Sequence, residues 1–557
     1  MATTIDPPAA DAVAPIEEPP RRRRRWPWAV AGVLLVLVAG AVAAAAYVRT
    51  QFPATRLASA AQALGRVQTS GWGTKIISVR ATADDGSSVP VRTTGKGWIW
   101  PKGMLDPGKT IHIAIVAQRP SWARRLVGAY EHKDITVTTP RVRVKTHWIQ
   151  TRHGKPVQVR FDTPVRSVIV MRGDKVAKQK LASPKRVVSL PRSLTSSDTG
   201  SIRVSAAART WETPSSPVRV TWFPTGQPLA AVLQPALGKS LLPTQTLTLR
   251  FSRPLTTVLG SASATPKLTP NVPGTWHTID DHTVTFEPSA AGFTLGHTFS
   301  VQLPRAATVS TRKGLVARSV LQWHVPDPSQ NRLEQLLAQF GYMPLTFVTK
   351  TRVPADADAQ LTAAVLPPQG HWTWRWKKTP KPLQTLWRPG EPNAIDQGAL
   401  MKFQNEHGLT PDGVATPETW NALLAAATAG KTAPAHYSYV VVAQTRPEVM
   451  RLWKDGKFVV KGAANTGISS APTPNGTWPV YSHIAVGTMS GTNPDGTKYH
   501  DPGIPWISYF HGGDALHAFP RGSYGSPQSL GCVELQLDVA KQIWPSTPIG
   551  TLVTVHA

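Results

Sequence analysis

Two side chains near the carboxyl end carry the chemistry this chain could do. They lie in His517-Ala518-Phe519, then a Gly/Ser-rich run, then Ser529-Leu530-Gly531-Cys532-Val533-Glu534. Cys532 is the only cysteine in 557 residues. A thiol becomes a competent nucleophile as a thiolate, and a nearby imidazole is the commonest way to make one. Gly522, Gly525 and Gly531 let the loop fold back and bring Cys532 towards His517. Gly531 also leaves room for backbone N–H groups to face a developing oxyanion. On residue type alone, a free cysteine is more often a small buried hydrophobe. The exported location inferred below favours the nucleophile, because one unpaired thiol is unusual there.

Other candidates are weaker. His511 is an alternative base; its Gly512-Gly513 context lacks the Lys-Ser/Thr and following helix of a phosphate loop. His483, His500, His511 and His517 are scattered, without His-Glu-x-x-His spacing, so neither a metal nor a cofactor is expected. Ser529 lacks a Gly-x-Ser-x-Gly elbow and reads as a site-lining hydroxyl, with a structural turn residue as the alternative.

The elements that position these residues follow from the amino terminus onward. Length suggests several domains, and 52 prolines with 42 glycines favour β-rich modules joined by short linkers. The formal charge of +29 implies an anionic environment: nucleic acid, phospholipid or a wall polymer. Residues 1–20 read as a disordered tail, and Arg21 to Arg25 are consecutive cations. Trp26 to Val48 is an apolar run without charge, and ~23 residues at ~1.5 Å each span a ~30 Å hydrocarbon core. Arginines before the span keep the amino end cytoplasmic and put residues 49–557 outside. Trp26, Trp28 and Tyr47 fit interfacial positions. A cleaved signal peptide is the rival, since Ala41 to Ala46 offers small residues; the long span and tail favour an uncleaved anchor. Spread over an exterior region, the basic charge suits anionic wall polymers or the membrane face rather than nucleic acid. With one cysteine, no disulfide stabilises the exterior domains.

Gln51 to Val67 could form a short juxtamembrane helix within a segment, 49–140, that is otherwise β-rich. His112 alternates with apolar residues there and reads as solvent-facing. An internal repeat follows: Val157 to Val168 matches Leu247 to Val258 position for position, with period-2 alternation into a Pro-containing turn. Each unit closes on a strand carrying a tryptophan and then a proline, Trp222 with Pro224 and Trp323 with Pro326. These read as two β-sandwich modules, 141–225 and 226–327, acting as a stalk. They resemble the Ig-like domains of bacterial surface proteins.

At Asn331 the period changes. Leu333, Leu336, Leu337 and Phe340 recur at helical spacing and stop at Gly341. A second helical pair comes later: Asp396 or a neighbour caps Ala399 to Gln404, and Thr416 with Pro417 starts the next helix. Between them lies a Trp-rich arm, 346–392, with Trp372, Trp374, Trp376 and Trp387. Its alternation suggests a hairpin strand, with aromatics for sugar stacking or, the favoured reading, for packing on a neighbouring domain. The phrase Phe403-Gln404-x-x-His407-Gly408-Leu409-x-x-Asp412-Gly413-Val414, ending in Glu418-Thr419-Trp420, resembles the small helical peptidoglycan-binding domain, here 328–430. Ala429 to Ala435 is a linker. A β-meander with an Asp455-Gly456 hairpin turn then opens residues 436–557, which hold one helix, Leu537 to Ile543.

Tyr439 to Ala557, with Pro472-Thr473-Pro474-Asn475-Gly476-Thr477-Trp478, the His517 segment and Ser529-x-Gly-Cys532, resembles the L,D-transpeptidase catalytic domain, the YkuD-like family. The implied fold class is multidomain and mainly β: one transmembrane helix, Ig-like modules, a helical peptidoglycan-binding-like domain and a β-rich catalytic domain. The implied partners are peptidoglycan stem peptides and the plasma membrane. The implied chemistry is attack by Cys532, with His517 as base, on the third residue's carbonyl in a tetrapeptide stem. D-alanine leaves, and a neighbouring stem's amine resolves the acyl-enzyme into a 3→3 cross-link; water instead would make a carboxypeptidase. Backbone N–H groups around Leu530, Gly531 and Cys532 would hold the oxyanion. Family members commonly carry His where this chain has Leu530, and Arg or Asn where it has Glu534. The second change reverses a charge at the site, and a wall-binding scaffold with a drifted site is the competing function.

Overall fold

The computed structural model describes residues 26–51, 55–69, 73–261, 264–311, 313–431 and 436–557. The expected tail and arginine run, residues 1–25, and most of the 429–435 linker lie outside them. The chain is mainly β, in two compact units.

The first unit holds the described residues up to Ile149, with Lys155–Ser196 and Ser201–Val220. It opens on a helix, Trp26–Gln51, whose Trp28–Tyr47 stretch is long and apolar enough to cross a membrane and is not buried against the rest of the protein. Among the described residues 55–67 of the expected juxtamembrane segment no helix forms. Thr55–Ser59 and Gly65–Thr69 are antiparallel strands instead, and Leu64 and Val67 are buried in a β core with Ile99, Ile113 and Ile115. Tertiary burial outweighs local helix propensity here. His112 is exposed, its Nδ1 3.1 Å from Thr136 Oγ1.

The repeat is structural only in part. Its first copy enters the long strand Gln158–Arg172, which continues past Pro164 with register shifts on either side of it and pairs with Lys175–Ser189 and Gly200–Ala207. The second copy gives the strand Leu247–Phe251, and Pro254 then starts a helical turn, Leu255–Leu259. The closing tryptophans are equivalent: Trp222 and Trp323 are both fully buried, each donating its indole N–H at 2.8 Å to a carbonyl, of Ser197 and Pro235.

The second unit carries Gln150–Gly154, Ser197–Gly200 and Thr221–Ala557. In 226–327, strand pairing runs through one continuous seven-stranded sheet, where two separate sheets were expected. A register shift between Gln302 and Ala307 in the long strand Thr298–Thr311 accompanies this continuity. Phe251, Phe286, Phe293, Phe299 and Trp323 meet in a single core.

Next come α1 (Gln330–Gln339), the hairpin Leu345–Thr349 with Gly370–Trp374, α2 (Ala394–Glu406) and α3 (Pro417–Thr428). Asn393, not Asp396, caps α2, its Oδ1 accepting the N–H of Ile395 and Asp396. Asp396 points inward and is buried with Glu334 of α1. Thr416 caps α3 as expected.

The last 120 or so residues form a nine-stranded mixed sheet. Its strands are β1 (Ser438–Ala443), β2 (Val449–Lys454), β3 (Lys457–Asn465), β4 (Gly476–Pro479), β5 (Ser482–Thr492), β6 (Lys498–His511), β7 (Asp514–Ala518), β8 (Val533–Leu535) and β9 (Leu552–His556), in the order β4-β9-β1-β2-β3-β8-β7-β6-β5. Asp455 and Gly456 both take positive φ, 47° and 93°, in the two-residue turn between β2 and β3. The helix Leu537–Ile543, α4, covers the core formed by Val440, Leu452, Leu516, Val533 and Val553.

The helical region and this sheet share one core. Phe403, Trp420 and Leu423 cluster with Tyr439, Trp453 and Leu552. Trp376 from the Trp-rich arm meets Trp453 edge-on at 5.2 Å, and Trp453 Nε1 donates to Lys378 O. Trp372 lies against Phe347 and Trp387. The arm packs. At the seam two backbones touch: a Cβ on Gly398 of α2 would lie 2.5 Å from Gly550 O, and one on Gly550 2.3 Å from Gly398 O.

Candidate active site

Strand pairing decides where the candidate residues meet. β7 and β8 run parallel, with Leu516 opposite Val533 and His517 opposite Glu534. Cys532 immediately precedes β8, which sets it across from Ala515. Neighbouring strands are ~4.8 Å apart and alternate residues share a face. Leu516, Ala518, Val533 and Leu535 point into the core, so Ala515, His517 and Glu534 line the other face. Cys532 packs there with Ala515, Tyr509 and Phe519.

His517 is buried, and its Nδ1 lies 3.0 Å from the Ala518 carbonyl oxygen. A carbonyl only accepts, so Nδ1 carries the proton and Nε2 is left as the basic nitrogen. Burial lowers the imidazole's pKa. The Cys532 thiol is pushed up to about 12, mainly by burial and further by the Asp514 and Glu534 charges; a hydrogen bond from the Ala515 N–H opposes them. Both shifts favour a neutral thiol beside a neutral imidazole at rest. The thiol also points to the Gly513 carbonyl, 3.8 Å away.

The loop before Cys532 is pinned by its own polar groups. Ser529 is buried, its Oγ donating to Cys532 O at 2.6 Å and accepting the Gly531 N–H at 3.3 Å. That hydroxyl is committed to the turn. Leu530 is half-buried. Gly531 has φ +116°, where any L side chain is strained, and a Cβ there would lie 2.2 Å from Asp514 Oδ1 and displace that carboxylate. Thr473 Oγ1 donates to Gly531 O at 2.7 Å, which ties the Pro472–Trp478 segment to the loop. Asn465 is fully buried and accepts the Gly525 N–H at 2.9 Å; the buried Glu448 carboxylate accepts from the Thr466 N–H and hydroxyl.

Glu534 does not leave an uncompensated charge. Arg521 grips it bidentately, Nε to Oε2 at 2.8 Å and Nη2 to Oε1 at 2.7 Å, and rests over the Phe519 ring. Sequence reading missed Arg521 because it sits 13 residues away in a loop whose path the sequence does not give. Its only signal was an arginine in the His-to-Cys interval.

The sequence over this region matches a known family. Residues 437–555 match the family model of the L,D-transpeptidase catalytic domain. Residues 397–423 match a peptidoglycan binding domain. No curated protein matches. Among solved structures, the NMR structure of the catalytic domain from an E. faecium L,D-transpeptidase is 28% identical, covering 21% of this chain and 96% of that one, with a TM-score of 0.20. An L,D-transpeptidase from Mycobacterium smegmatis is 14% identical over 59% of this chain and all of that one, TM-score 0.20. A crystal structure of an Enterococcus faecium L,D-transpeptidase carrying a cysteine-to-serine substitution is 19% identical over 33% and 92%, TM-score 0.21. The catalytic-domain match supports transpeptidase function, and both family matches imply peptidoglycan as partner.

Proposed function

We propose that this chain is a membrane-anchored L,D-transpeptidase that forms 3→3 peptidoglycan cross-links through an acyl-enzyme on Cys532. The observation that carries it is the parallel β7–β8 pairing, which places the sole thiol on one face with a buried imidazole whose tautomer is fixed. From a neutral thiol and neutral imidazole, the proton moves from Sγ to His517 Nε2 as sulfur attacks the stem carbonyl. The imidazolium then gives that proton to the departing D-alanine amine. With the Gly531 N–H held by Ser529, the oxyanion role falls to the Leu530 and Cys532 N–H groups. The buried carboxylate of Glu534 and its Arg521 partner then frame the pocket. The pairing with Arg521 weakens the case for a drifted scaffold, since the reversed charge is neutralised within the fold. The Trp26–Gln51 helix supplies the anchor, with the carboxyl-terminal regions in the wall and no nucleic-acid role.

The test mixes the protein with disaccharide-tetrapeptide and follows products by mass spectrometry, with Cys532→Ala as control. A dimer lighter by one D-alanine, absent in the control, is expected. Tripeptide alone would make the site a carboxypeptidase, and unchanged substrate with folded protein would favour the scaffold.

A further inference from the structure

An imidazole–carboxylate pair stands beside the thiol, and the acylation chemistry above leaves it without a task. His511 ends β6 and Asp514 begins β7, directly opposite each other across the Gly512-Gly513 turn. His511 Nδ1 lies 3.1 Å from Asp514 Oδ2, and its ring rests 4.5 Å from the Trp478 ring. The pair reaches the nucleophile through the backbone: Asp514 Oδ1 abuts Gly531, Gly513 O faces Cys532 Sγ, and Ala515 N–H meets the same sulfur. The imidazole is 42% exposed, while His517 is buried.

The Asp514 charge works against the nucleophile, because it raises the Cys532 thiol. Of the two carboxylates that do so, Glu534 is neutralised by Arg521. Tyr481, Tyr499 and Tyr509 also stand close enough to feel the thiol's charge, with Asp501 acting on His517 and Tyr499. Tyr481 donates its hydroxyl to the Gly512 carbonyl. A carboxylate that hinders thiolate formation has a use if the reaction's other partner is a cation, and a primary amine is one at neutral pH.

We propose that His511 and Asp514 form the acceptor subsite: Asp514 draws in the cationic side-chain amine of a second stem, and His511 takes one of its protons. This rests on the transpeptidase reading. The ammonium gives one proton to His511 Nε2, and the imidazolium is held by Asp514. The freed amine attacks the thioester carbonyl, a C–N bond forms and the C–S bond breaks. The amine's second proton goes to the departing sulfur through His517, restoring the thiol, and His511 releases its proton to solvent. One amide N–H remains, so the protons balance.

The experiment uses the full chain, disaccharide-tetrapeptide as donor, and two acceptors: the stem amine and hydroxylamine, which is uncharged at neutral pH. Asp514→Asn should raise the KM for the stem amine and lower the dimer-to-tripeptide ratio about tenfold at low acceptor, while shifting the hydroxamate-to-tripeptide ratio about twofold or less. His511→Gln should lower the transfer rate even with saturating amine. An equal fall for both acceptors, or no change in either ratio, overturns the proposal. If the variants do not fold, the wild-type protein decides: rising salt should raise the KM for the stem amine and leave that for hydroxylamine unchanged, and identical salt responses overturn it. Wild-type protein that releases no D-alanine at all defeats the transpeptidase reading itself, an outcome distinct from a failure confined to the acceptor.

Discussion

Arg521 and Glu534 pair beside the thiol, and their unequal burial sets an asymmetry. The glutamate side chain is 6% exposed and the arginine 32%. Arg521→Gln strands a buried carboxylate, whereas Glu534→Asn strands a guanidinium that can turn to water. The first should cost about 3 kcal/mol of stability and the second about 1 kcal/mol or less. Urea unfolding of both variants and the double variant checks this; equal losses would place the arginine deeper than its exposure implies. That Cys532, His517 and Gly531 are neighbours was legible in the sequence, because residue type and a glycine-rich interval carry that information. Ser529 was given a place lining the site, while in the structure its hydroxyl is bonded within the turn. That fate depends on the φ of Gly531, which is not visible in a string of letters.

At the scale of elements, α1 and α2 are joined by two acids. Glu334 and Asp396 are buried, and burial raises both carboxyls, Asp396 to about 8. Asp396 Oδ2 accepts from Gln330 and Asn393, and Glu334 Oε1 accepts the Gly390 N–H. A folded state that holds protons the unfolded chain has lost is stabilised at low pH. The contribution is therefore complete near pH 4 and falls away as pH rises to about 8. The urea midpoint should drop across that window, and Glu334→Gln should flatten the slope; an unchanged slope would mean the pair is not protonated in the native state. Helix positions were legible from the spacing of Leu333, Leu336, Leu337 and Phe340. The cap was not: Asn393 and Asp396 are both good N-cap types, and only the inward turn of Asp396 separates them. The strands at Thr55–Ser59 and Gly65–Thr69 were missed for the opposite reason, since Leu64 and Val67 answer to partners far along the chain, Ile99, Ile113 and Ile115 among them.

For the whole molecule, the formal charge of +29 sets a field that no single contact explains. Binding to isolated walls should be strong at low salt and largely lost near ~1 M, where the screening length falls to ~3 Å. Pelleting with wall sacculi across a salt series measures it, and salt-independent binding would assign the attachment to specific contacts instead. The mainly-β architecture was readable from alternation, proline and glycine. The joint between the helical region and the sheet was not, because Trp376 and Trp453 are 77 positions apart and neither announces the other.

That joint has a bearing on how such proteins are assembled from parts. Anyone transplanting the catalytic unit onto a new carrier would cut in the proline- and alanine-rich stretch before residue 436. The Gly398–Gly550 contact and the burial of Tyr439, Trp453 and Leu552 make that a poor seam. The compact unit that holds the sheet begins near residue 221, and Thr244 bonds Thr362 within it at 3.0 Å, so recombination between genes would have to carry β-module, helices and sheet as a single inheritance.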